Sequence, residues 1–137
     1  MKMNLARVLK QKLPKLKMFL ASDPRVLAVF LFGSQADGYA TPRSDIDLAV
    51  LFSRDLGLDE QLTFEVALCD ILKVYEKLDV VNLNRANLSF RFRAIGGELL
   101  YQRDFVKVSD FIEKTLIERR DFAPRLRTRQ RDFLMAL

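Results

Sequence analysis

Histidine is absent from this 137-residue chain. Its absence excludes serine–histidine and cysteine–histidine catalysis, histidine–zinc sites and the commonest general base, and leaves acid and base work to carboxylates. Cysteine occurs once, so no internal disulfide can form. The neighbours Val66, Ile71 and Leu72 put Cys69 on an apolar helix face, and no basic residue is placed to lower its pKa, which makes it a packing residue rather than a nucleophile. No apolar run approaches the ~18 residues of a membrane span, and the basic N-terminus lacks the apolar core and cleavage site of a signal peptide. The expected location is the cytoplasm, with no membrane partner. Internal repeats, low-complexity tracts and interdomain linkers are also missing.

Half the residues are apolar and 30% are charged, a balance that excludes disorder. A chain of this length is expected to make one domain and to bury about two thirds of its unfolded surface. Charge is uneven. Lys2, Arg7, Lys10, Lys12, Lys15 and Lys17 contribute six positive charges with no acid among the first seventeen residues, so the remainder sums to −1 of the net +5. Leu5, Val8, Leu9, Leu13, Leu16, Phe19 and Leu20 recur there at helical spacing, which predicts an amphipathic basic helix over about 4–20, kinked or broken at Pro14. A solvated face on a helix packed against a sheet explains this pattern better than nucleic-acid or membrane binding.

Two seven-residue apolar runs, Val26–Phe32 and Ile46–Phe52, read as buried strands. Gly33-Ser34 ends the first, and Asp45-Ile46-Asp47 opens the second ten residues later. Alternation along a strand puts Asp45 and Asp47 on one face with Cα atoms roughly 7 Å apart. Two carboxylates so close repel each other unless a cation sits between them, and hard oxygen ligands suit Mg2+ or Mn2+. A third short strand, over about 78–83, carries a single charge, Asp79. If the three strands are neighbours, Asp79 converges on the pair. Backbone N–H groups and the hydroxyl of the Gly-Ser turn would then be available to phosphate oxygens. Taken singly, each feature has an ordinary structural reading: a common turn, a surface turn entering a strand, and a carboxylate paired with Lys73 or Lys77. Their joint occurrence at strand ends makes a metal and nucleotide site a candidate, which the resemblance of their spacing to a known family favours.

The remaining path reads as helix over about 58–75, a short helix near 88–95, a reversal at Gly96-Gly97, a strand near 99–102, and a helical region from about Ser109 that is interrupted near Pro124. That last region carries Arg119, Arg120, Arg125, Arg127, Arg129 and Arg131 beside Phe122, Leu126, Phe133, Leu134 and Leu137. A protein interface and a helix packed on its own sheet explain this composition equally well; RNA binding is a weaker option.

The pattern Gly33-Ser34, ten residues, Asp45-x-Asp47 and an isolated Asp79 resembles the nucleotidyltransferase superfamily that shares its palm with DNA polymerase β. Length narrows the resemblance to minimal nucleotidyltransferases, and among these to the antitoxins of HEPN/MNT toxin–antitoxin pairs. It covers roughly Val26 to Asp104, including Arg91–Tyr101 as that family's helix, turn and final strand. The resemblance implies an α+β fold with a mixed sheet flanked by helices, a core over about 26–104, the N-terminal basic helix 4–20 and a C-terminal helical extension over 109–137, all in a single domain 1–137.

It also implies chemistry. Asp45 and Asp47, with Asp79, hold Mg2+ (or Mn2+), Gly33 and Ser34 hold the phosphates of ATP, and Asp79 shares the metal and takes or orients the acceptor proton. Arg43 lies two residues before Asp45 and reads more simply as an exposed loop arginine. Three functions are compatible: an antitoxin that transfers AMP to a hydroxyl, tyrosine first, of a cognate HEPN ribonuclease toxin; a small-molecule nucleotidyltransferase of the antibiotic-modifying kind, for which the chain has little room; and a degenerate module that neutralises its partner by contact alone. The first is preferred and implies a hetero-oligomer with the toxin, without direct nucleic-acid binding.

Overall fold

A computed structural model of the chain describes residues 5–32, 46–73 and 78–135. Along them run α1 (Leu5–Ser22), β1 (Val26–Phe32), β2 (Ile46–Phe52), α2 (Leu58–Leu72), β3 (Leu78–Asn82), α3 (Leu88–Ile95), β4 (Glu98–Gln102) and α4 (Phe105–Met135). The strands form one sheet in the order β3-β2-β1-β4. β1 is antiparallel to β2 and β4, whereas β2 and β3 are parallel. A parallel pair needs a crossover, and α2 supplies it.

Both central strands are buried on both faces, which is why their sequences are continuous apolar runs rather than alternating ones. On one face Val29, Leu31, Leu48 and Val50 pack with Leu9, Leu16 and Leu20 of α1 and Phe64, Leu68 and Leu72 of α2. On the other, Phe30, Phe32, Ala49 and Leu51 pack with Ala94 of α3 and Val108 of α4. The fold is thus α+β with a mixed sheet covered by helices, as expected.

Helix ends follow local chemistry with instructive exceptions. α1 runs through Pro14, so of the kink or break expected there the break does not occur. Proline removes one helical hydrogen bond, a loss that the leucine stripe pinned to the sheet outweighs. α2 begins after Gly57, whose N–H donates to the Glu60 carboxylate, and it ends at Leu72 rather than near 75, with Lys73 in the left-handed region at φ 58°. Asn87 caps α3 by accepting from Phe90 N–H at 2.9 Å. α4 starts at Phe105, four residues before the sequence expectation, because the Asp104 carboxylate accepts from Lys107 N–H. It also continues through Pro124, where an interruption is expected.

Side chains complete the backbone pairing at the sheet ends. Asn84 accepts from Phe52 N–H and donates to Phe52 C=O, at 2.8 and 2.9 Å, in the manner of a strand neighbour. The Arg103 guanidinium donates to the carbonyls of Val26, Leu20, Ala21 and Asp23, closing the C-terminal end of α1 onto β1. Gly97 sits so close to β1 that a Cβ there would lie 2.2 Å from the Leu31 carbonyl oxygen. The absence of a side chain lets β4 reach its place beside β1.

Around the start of β1 and the end of β2 lies an ion-pair group: Arg25 pairs with Asp23 and Glu60, and Arg54 with Glu60. The Arg54 guanidinium, the Gly57 N–H and Arg25 together draw the Glu60 carboxyl down to about 2. Arg25 likewise lowers Asp23, and Arg85 lowers Asp55. Such groups bind protons more weakly in the folded chain than in the unfolded one, so their stabilisation is present above the unfolded carboxylate range and is lost as pH falls through it.

Two outcomes are expected. Gly97→Ala, which meets backbone rather than a yielding side chain, should cost about 3 kcal/mol and lower the melting temperature by roughly 10 °C, while Gly96→Ala, whose Cβ would make ordinary contacts, should cost less than about 1 kcal/mol. Urea unfolding should show a midpoint nearly level from pH 8 to 6 that declines between about pH 4.5 and pH 2, with a shallower decline in Glu60→Gln.

Candidate active site

The hydrogen-bond register brings two of the sequence-predicted acids together. β1 and β2 pair Phe32 with Asp47, and β2 and β3 pair Asp47 with Asp79. Phe32, Asp47 and Asp79 therefore form one row across three strands, with neighbouring strands about 4.8 Å apart. All three share the parity of Phe30, Ala49 and Val81, which belong to the α3/α4 face. Asp47 is half-buried and Asp79 exposed, so the row runs from the protein interior outward. Like charges directly opposite one another on a sheet are destabilising. Two carboxylates in register, one solvent-facing, suit a hard divalent cation shared between them.

Gly33, Ser34, Asp45 and Arg43 lie outside the described residues. The described chain leaves the row at Phe32 and re-enters it at Ile46, one residue from Asp47. Among the described residues no group of three or more metal-ligating side chains occurs.

One basic residue without a role in the sequence reading stands beside the row. The Arg93 guanidinium, in the last turn of α3, lies over the Phe32 ring at 5.9 Å from its centroid. The other charged contacts of α3 are structural: Arg91 pairs with Glu118 at 2.9 Å, and Arg119 of α4 lies over the Phe92 ring at 5.1 Å. No local pattern marks Arg93, since its meaning comes from where α3 crosses the end of β1.

Two surface grooves lie elsewhere. One, of about 340 Å³, follows a face of α4 and is lined by Ser109, Ile112, Glu113, Leu116, Ile117 and Arg120. The other, of about 310 Å³, lies between α2 and the edge strand β3 and includes Cys69. Cys69 is half-buried beside an exposed Val66, so its helix face is a groove wall rather than the core packing expected. Burial and the nearby Glu65 and Asp70 push its thiol up, which agrees with the expectation of an unreactive cysteine.

The chain matches the family described as "Polymerase beta, Nucleotidyltransferase" over residues 14–106. No curated protein matches it. Among solved structures, a chain of a toxin–antitoxin with AMP-PNP superposes with a TM-score of 0.70 at 22% identity, covering 91% of this chain and 98% of that one. A chain of the complex between the tri-AMPylated Shewanella oneidensis HEPN toxin and its MNT antitoxin gives a TM-score of 0.68 at 20% identity, with coverage of 91% and 98%. The toxin–antitoxin MntA-HepT gives the same TM-score, identity and coverage. At this level of identity the likeness is one of fold. The family match spans all four strands of the sheet and includes both Asp47 and Asp79, and it establishes that the chain belongs to the polymerase β nucleotidyltransferase family.

Proposed function

We propose that this protein is a Mg2+-dependent adenylyltransferase of the minimal nucleotidyltransferase antitoxin kind, which moves AMP from ATP to a hydroxyl, tyrosine first, of a cognate HEPN ribonuclease toxin in the cytoplasm. The observation that carries this reading is the register of Asp47 with Asp79 at the mouth of a strand whose sequence opens with Asp45-x-Asp47. The fold likeness to toxin–antitoxin chains, one solved with AMP-PNP and one with an AMPylated HEPN toxin, supports the donor and the partner. Among the described residues no helix is long and apolar enough to cross a membrane.

In this reading Asp45, Asp47 and Asp79 hold the divalent ion, which when bound neutralises charge on the triphosphate. The Ser34 hydroxyl and the Gly33 N–H hold phosphate oxygens. Asp79, the exposed member of the row, faces the side from which an acceptor arrives and takes or orients its proton. The acceptor oxygen bonds to the α-phosphorus as the bond to the bridging oxygen breaks, and pyrophosphate leaves. A row open to solvent admits a side chain carried on another protein, whose docking supplies the positioning that a second domain would otherwise provide.

The metal assignment is checked without catalysis. The wild type and Asp47→Asn/Asp79→Asn are each melted in EDTA and in Mn2+, so that each protein is its own metal-free reference. Saturating Mn2+ should raise the wild type by roughly 10 °C and leave the variant unmoved. An equal Mn2+ shift in both proteins would remove the carboxylates from the metal site.

Transfer is checked with labelled ATP and the co-expressed partner. The partner should gain one or more AMP groups, and Asp47→Asn should slow this by more than about 100-fold. A partner that is neutralised equally by the variant and never acquires label would replace catalysis with binding alone. Label on an aminoglycoside-type small molecule instead would favour the antibiotic-modifying alternative.

A further inference from the structure

The geometry points to Arg93 as a triphosphate-binding residue, one that grips the β- and γ-phosphates across the Phe32 ring from the Asp47/Asp79 pair. This inference rests on the nucleotide-transfer reading above and deepens it.

Three observations carry it. First, Arg93 shares the face of the sheet that bears the carboxylates, because Phe32, over whose ring its guanidinium lies, occupies the same cross-strand row as Asp47 and Asp79. The ring on which the guanidinium rests is one strand spacing, about 4.8 Å, from Asp47 and two from Asp79, a span on the scale of a polyphosphate. Second, Arg93 is exposed and, among the described residues, has no carboxylate partner, in contrast to Arg91, Arg25, Arg54 and Arg85, each of which is held in an ion pair. Third, Phe32 is only 5% exposed, so the surface on which the guanidinium rests is fixed by the core. Stacking on a fixed ring orients the planar fork while leaving its N–H donors free for an anion.

The charge logic follows. Asp47 and Asp79 would hold an ion near the reacting phosphorus, and an arginine beyond them would meet the charge that builds on the departing pyrophosphate. Arginine suits this position because it is always charged and can bind two phosphate oxygens at once. The simpler alternative is that Arg93 only favours the negative end of α3 and covers Phe32, a role that would affect folding and not distinguish among nucleotides.

Calorimetric titration of the purified protein with Mg2+ and either AMP-PNP or AMP separates these. Arg93→Ala should weaken AMP-PNP roughly 10- to 100-fold, as expected for lost hydrogen bonds to a charged group, and change AMP by less than about twofold. Arg93→Lys should recover part of the loss. Melting temperatures of both variants should stay close to the wild type. Unchanged AMP-PNP affinity in Arg93→Ala, or an equal loss for AMP and AMP-PNP, overturns the assignment. If the wild type binds AMP-PNP and Asp47→Asn does not, while Arg93→Ala binds normally, only the arginine inference fails. If the wild type binds no nucleotide, the transfer reading fails and takes the arginine role with it.

Discussion

The register of β2 against its two neighbours is the constraint on which the candidate site depends. β2 is paired antiparallel on one side and parallel on the other, and only this combination sets Asp47 between Phe32 and Asp79. A one-residue slip would turn Asp47 toward the face filled by α1 and α2, where a carboxylate would sit among Leu16, Leu20, Phe64 and Leu68. The same slip would expose Leu48 and Val50 of that core to the opposite face. Burial on both sides therefore holds the register, and the register positions the chemistry.

Charges are divided between the two ends of β1. At its start, Asp23, Arg25, Glu60 and Arg54 form ion pairs that fasten α1, β1 and α2 together. At its finish Asp47 and Asp79 stand in one cross-strand row, with the Arg93 guanidinium over the ring of Phe32 in the same row. The first group stabilises the fold; in the second, Asp79 and Arg93 are exposed to solvent, where a ligand can reach them. Asn84, Arg103 and Gly97 belong to the first task, since each brings backbone segments together where strand pairing alone would leave groups unmet. A site built on strand ends clamped this way has little freedom to drift, which suits chemistry that needs carboxylates at fixed separation.

The row of acids lies on the α3/α4 side of the sheet. α3 is short and crosses near the end of β1; Phe32 is covered there, and the row reaches solvent two strands away at Asp79. α4 extends well past the sheet, presenting Leu116 and Ile117 at its surface along a shallow groove.

Much of this was written locally. The bounds of β1 and β2 are those of two apolar runs, because strands buried on both faces must be apolar throughout, and α3 is bounded by an asparagine cap and a glycine pair. Asp79 stood out as the one charge in an apolar strand. The helices through Pro14 and Pro124 did not follow local rules, since packing and length can outweigh a single lost hydrogen bond, and the early start of α4 depends on a cap by Asp104 that the expected start at Ser109 passed over. The sequence by itself determined which residues could be strands, which acids were anomalous and which chemistries lack their residues. Only the tertiary structure decided that α2 returns β3 beside β2, so that Asp79 meets Asp47, and that α3 carries Arg93 to the same row, because neighbours in space across a crossover leave no periodic mark along the chain.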